Sequence, residues 1–192
     1  MRVEALPAVK TSKLYSTLET VVVTSTDRRV AYVTDSRIES PAWSVDGKSV
    51  SFFEAGKPRR MVPDGGKPAD APDLPRSGKS AEMTPDGQWI YLAKGNHIWR
   101  MNAEGGDASQ ITNDEWQDSD PHLSPDGKRV VFLSSAQPLS KDEDVLLRVM
   151  NLADGKISVI SKLIGGPGTL GPGAWSPDGR RLTFVSYQYL PE

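Results

Sequence analysis

The sequence predicts an all-β repeat fold, a four-bladed β-propeller of four-stranded antiparallel blades, from three observations. Four segments share one pattern: PAWSVDGKSVSFF from Pro41, AEMTPDGQWIYL from Ala81, PHLSPDGKRVVFL from Pro121 and GAWSPDGRRLTFV from Gly173. Their turn aspartates, Asp46, Asp86, Asp126 and Asp178, are separated by 40, 40 and 52 residues, close to the period of a propeller blade. The last repeat has room for only two strands before Glu192, while the first part of the chain offers two strand-like segments with no repeat of their own.

Taken in order, these N-terminal segments are LETVVVTS from Leu18 and RRVAYVTD from Arg28, separated by Thr26-Asp27. They have the pattern of the third and fourth strands of a blade. They are therefore predicted to complete the last one, so that residues 173–192 and 18–35 share a blade and no long strand edge stays open. Repeats at about 41–80, 81–120 and 121–172 supply the other three blades, and the whole chain, 1–192, is read as one propeller domain.

Each Pro-Asp-Gly turn has a local cause. Proline pre-sets φ for the second position of a type I turn, and glycine takes the left-handed conformation that closes a three-residue hairpin. Runs such as Arg129-Val130-Val131-Phe132-Leu133 follow the turns and read as buried strands. HIWRMNA and DVLLRVMNL supply third strands, each ending at a glycine turn before SQIT or KISVISKL.

Composition removes several functions. The 23 basic and 25 acidic residues are interspersed, so no basic stripe marks a nucleic-acid partner. The chain has no cysteine, hence no disulfide, thiolate nucleophile or Cys-ligated zinc. The first twenty residues lack the apolar run of about 7 to 15 residues that a secretory leader needs. No apolar run approaches the roughly 20 residues of a membrane span. Gly-x-Ser-x-Gly is absent, and the partial P-loop echoes at Gly47-Lys48-Ser49 and Gly78-Lys79-Ser80 lack their earlier glycines.

In DPHLSPDGKRVVFLS, DVLLRVMNLADGKI and AWSPDGRRLTFVSYQ, the chain resembles the bacterial TolB-like propellers built from WD40-like Pro-Asp repeats, over about residues 18–190. The resemblance implies a binding scaffold for a protein or peptide rather than an enzyme, and a periplasmic location if a leader is missing, otherwise a cytoplasmic one. Such relatives commonly have six blades. The four repeats here leave a partial propeller of a larger ring, with self-association, as the alternative architecture. Similar repeats also occur in pectin-fragment lyases, which makes a metal-assisted lyase or hydrolase of oligosaccharides the alternative function.

The most function-like stretch is NDEWQDSDPH, residues 113–122, which leads into an innermost strand. Propeller topology places it on the same face as the 134–144 connection and the glycine-rich 165–173 connection, and the opposite face is expected to carry only tight turns. Binding is therefore assigned to Trp116, Asp118, Asp120, His122, Asp142 and Asp144. The bland alternative is a solvated acidic rim. Trp43, Trp175, Trp89 and Trp99 are read as blade packing, whereas Trp116 sits in a polar loop. His97 and His122 are the only histidines and have no visible co-ligands, so no catalytic residue, metal or cofactor is assigned.

Overall fold

The computed structural model describes residues 12–44, 46–71, 81–102, 107–138 and 143–191. Those residues form strands and turns, with no helix among them. The chain starts with β1 (Ser12–Val22) and β2 (Arg28–Thr34). Blade I follows as β3 (Ile38–Trp43), β4 (Val50–Glu54), β5 (Lys57–Met61) and β6 (Ala69–Asp70). Blade II is β7 (Ala81–Met83), β8 (Trp89–Lys94), β9 (His97–Asn102) and β10 (Ser109–Gln110). Blade III is β11 (Gln117–Leu123), β12 (Arg129–Ser135), β13 (Glu143–Asn151) and β14 (Ile157–Gly165). The last strand is β15 (Arg181–Pro191).

Blades I to III are four-stranded antiparallel sheets with strands in sequence order. Blade IV joins the two ends of the chain in the order β15-β1-β2. β1 and β15 pair from Ser12 opposite Pro191 to Val22 opposite Arg181 without a register break. The N-terminal strands thus complete the last blade, as the strand deficit predicted. The innermost strand of blade IV is reduced to one bridge, Trp175 opposite Leu182.

All four turns are built alike. The Ser or Thr before the turn donates to its Asp, as in Ser124 Oγ to Asp126 Oδ1 at 2.6 Å and Ser176 Oγ to Asp178 Oδ1 at 2.6 Å. The same Asp oxygen accepts from the backbone N–H two residues on. The turn glycines have φ of 66° to 71°, a conformation that costs other residues strain. The turns also interlock between blades: a Cβ on Gly127 would lie 3.0 Å from Pro85, and one on Gly47 would lie 3.6 Å from Pro177.

Side-chain parity sorts each blade into two faces. The fourth and sixth residues after the turn Asp point to the preceding blade around the ring, and the fifth and seventh to the following one. Val130 and Phe132 of blade III pack with Tyr91 and Ile98 of blade II. Leu182 and Phe184 of blade IV pack with Val131, Leu133, Leu147 and Val149 of blade III. Val50 and Phe52 of blade I pack with Leu18, Val185 and Tyr187 of blade IV. The blades therefore run II-III-IV-I through three apolar seams. Among the described residues no comparable cluster joins blade I to blade II, and the segment 72–80 between them lies outside those residues.

Candidate functional site

The connection into β11 and the end of β12 meet at the upper rim of blade III, since Gln117 and Asp118 pair with Ser135 and Ser134. Arg148 of β13 organises this rim. It is buried and ion-paired with Asp114, and its second nitrogen lies 3.2 Å from Ser134 Oγ and 3.5 Å from Asp118 Oδ1. Ser134 Oγ donates to the same Asp118 oxygen at 2.6 Å. The Asp118 N–H reaches across to the carbonyl of Asn96 in blade II at 2.8 Å. A cation buried in a strand requires a paired anion, and the acidic loop provides two.

The sequence signal for this partnership is Arg148 itself, a lone cation in the apolar strand DVLLRVMNL, a residue absent from the six assigned to binding. Burial opposes ionisation of Asp114, but the Arg148 ion pair and the Trp116 N–H bonded to its Oδ1 hold its carboxyl below the usual value. Burial pushes Asp118 up, with bonds from Ser134 and Thr112 and the charge of Arg148 offsetting part of the effect.

The six assigned residues separate into different roles. Trp116 is half-buried beside exposed Glu115, at the surface of the loop. Asp118 is only 3% exposed and serves the internal network. Asp120 has φ of 50° at a bulge where the β11–β12 register shifts, and burial raises its pKa while His122 opposes the shift. His122 is also 3% exposed. Its Nδ1 lies 2.6 Å from Glu82 Oε1, the Leu123 N–H bonds the other Glu82 oxygen, and the His122 carbonyl accepts from Trp175 Nε1 at 2.9 Å. It therefore ties blades II, III and IV together. Asp144 is exposed at the start of β13, and Asp142 lies outside the described residues.

Three expectations about the surroundings are corrected. The 165–173 connection does not stand free on the rim: Thr169 and Leu170 are buried, and its backbone bonds Ser40, Trp43 and Val185. Its glycines permit this approach, since a Cβ on Gly171 would sit 2.7 Å from the Pro41 carbonyl oxygen. The turn face is also less uniform than expected. It carries the 62–68 connection and a cavity of about 290 Å³ lined by Thr20, Val22, Asp27, Arg28, Arg29, Asp64 and Arg181. Its arginines are largely engaged, Arg28 with buried Glu19, Arg29 with Asp64, and Arg181 stacked over Trp43. Finally, Trp99 belongs to no core cluster and is partly exposed on blade II, whereas Trp43 and Trp175 are buried as expected.

Among the described residues no group of three or more His, Cys, Asp or Glu side chains is placed to hold a metal, and no helix is long and apolar enough to cross a membrane. The architecture defines a β-propeller whose rim loops are braced from within. Comparison with known proteins makes the fold more specific. A structure solved as "putative TolB" from Agrobacterium tumefaciens superimposes with a TM-score of 0.73 at 22% identity, covering 91% of this chain and 99% of that one. The fold is therefore TolB-like. TolB from Acinetobacter baumannii is a more distant structural neighbour, with a TM-score of 0.27 at 14% identity, covering 93% of this chain and 67% of that one. An uncharacterized protein of Agrobacterium fabrum is 31% identical over 166 residues, 76% of this chain and 53% of that protein. The chain thus spans about half the length of this curated relative. No protein-family model matches the sequence.

Proposed function

We propose that the protein is a binding scaffold that captures a segment of another protein at the upper rim of blade III, beside the channel mouth. The observation that carries this reading is the bracing of residues 113–118. Arg148 fixes the loop through Asp114 and Asp118, and this leaves Trp116, Glu115 and the neighbouring Asp144 as the groups available to a partner. A loop already ordered by its own ion pairs loses little conformational freedom on binding. An aromatic beside carboxylates suits a peptide with a basic residue next to an apolar one. In this reading Asp118 and His122 act as positioning residues and Asp120 sets the bulge.

The test is recovery of partner proteins on immobilised wild-type protein and on Trp116→Ala and Glu115→Lys variants. Both variants are expected to unfold at the wild-type temperature and to lose the bound protein. Equal recovery by all three would remove the site from this rim.

A further inference from the structure

Blade II has two faces with different fates. Tyr91, with Trp89 and Ala93 packed beside it, faces blade III and its core. The opposite face is formed by Met83, Ile90, Leu92, Trp99 and Met101, which the strand register places together: Met83 opposite Ile90, Ile90 opposite Met101, and Leu92 opposite Trp99. In the other three blades the fourth and sixth residues after the turn Asp (Val50, Phe52, Val130, Phe132, Leu182 and Phe184) are at most 1% exposed. Their equivalents in blade II, Ile90 and Leu92, are partly exposed, and Met83 is 56% exposed. The repeat thus supplies blade II with a packing face, over which the described residues place no second sheet, only Lys94 above the Trp99 ring at 5.0 Å.

We propose that a second copy of this chain covers this face, blade II against blade II, about a twofold axis. Two observations select this occupant. The apolar blade-on-blade seam is the interface the molecule already uses three times, so the exposed face calls for another sheet of the same kind. Blade I cannot supply one, because its outward face carries Ser51 opposite the exposed Arg60, and Phe53 opposite Pro58. Among the described residues the sheet face that matches blade II in apolar character is blade II itself, and an isologous twofold contact pairs it with its own copy. Closing blade I onto blade II within one chain would require repacking three seams whose side chains are already fully buried, and close-packed interiors resist that.

Mass in solution tests the proposal. The wild-type protein is expected as a dimer of 20.9 kDa chains that dissociates on dilution. Met83→Glu and Leu92→Glu should weaken association by roughly 30-fold or more, the effect of a hot-spot substitution of about 2 kcal/mol. Met83 is exposed enough for its variant to keep the monomer fold, which the unfolding temperature checks. Because the chain has no cysteine, a Leu92→Cys variant can form a disulfide only between copies, and a cross-linked dimer under mild oxidation would place Leu92 at the twofold axis. A monomer at all concentrations overturns the proposal. So does a Phe53→Cys/Leu92→Cys double variant that cross-links within one chain, which would show the ring closing on itself.

Discussion

Blades II and III are built from the same repeat, 40 residues apart, with the same turn and the same alternation, yet they are buried differently. In β12, Val130 and Phe132 pack on blade II while Val131 and Leu133 pack on blade IV, and all four are fully buried. In β8, Tyr91 is buried toward blade III, but Ile90 and Leu92 remain partly exposed on the other side. A strand pattern therefore specifies which residues could enter a core. The neighbouring blade determines whether they do.

The largest effect that would sharpen this contrast is a truncation on each side of it. Phe132→Ala leaves a cavity in a filled seam and is expected to cost about 3–5 kcal/mol. Leu92→Ala, measured at concentrations low enough to keep the protein monomeric, should cost less than about 1 kcal/mol. Chemical denaturation of the two variants checks this. Equal losses would mean that the outer face of blade II is as well packed as the inner one, and the comparison would fail.

The second prediction concerns what holds the blade III rim. Arg148→Ala leaves Asp118 buried without its cation and is expected to destabilise by about 3–5 kcal/mol. An Arg148→Ala/Asp114→Asn/Asp118→Asn variant, which removes the stranded charges as well, should recover part of that loss. If the triple variant is less stable than the single one, the carboxylates are not there to serve Arg148.

Acid titration gives the smallest effects, and the two kinds of aspartate should respond in opposite directions. Asp126 and Asp178 are held below the ordinary aspartate value of 3.8 by the Ser124 and Ser176 hydroxyls and the backbone N–H groups of Lys128 and Arg180. Their contribution is complete above the unfolded value and is lost as the pH falls through the folded one, so it erodes below about pH 4. Asp120 is shifted upward by burial, so its ionised form is a cost near neutrality that is relieved as the pH falls toward 3.8. Asp120→Asn should therefore raise the unfolding temperature near neutral pH and abolish that relief, because asparagine also tolerates the positive φ at this bulge. Asp126→Ala should lower the temperature at neutral pH and flatten its decline below about pH 4. A D120N profile parallel to wild type would show that this carboxyl is not shifted.

The candidate rim of blade III was only half legible. The acidic stretch around Trp116 was visible as a polar interruption between strands, and its place at the start of an inner strand followed from the repeat. The division of labour inside it was hidden, because it depends on Arg148, more than 25 residues away on β13, and on Ser134 at the end of β12. His122 stands out as one of two histidines, but its partner Glu82 lies 40 residues earlier, in the preceding blade. The 165–173 connection misled for a related reason. Glycine and proline mark a loop by composition, yet absence of side chains is also what lets a backbone lie against another one, as Gly171 does against Ser40 and Pro41.

By itself the sequence determined the local and periodic features: the Pro-Asp-Gly turns, the alternation of each strand, four blades, and completion of the last blade by the first strands. These follow from φ preferences and side-chain parity, which act over a few residues and repeat along the chain. Only the tertiary structure decided which parity faces are covered, which carboxylates answer a buried arginine, and which blades the described apolar clusters join. Those outcomes depend on desolvation and close packing between residues from different blades, and such energies exist only once the blades are placed side by side.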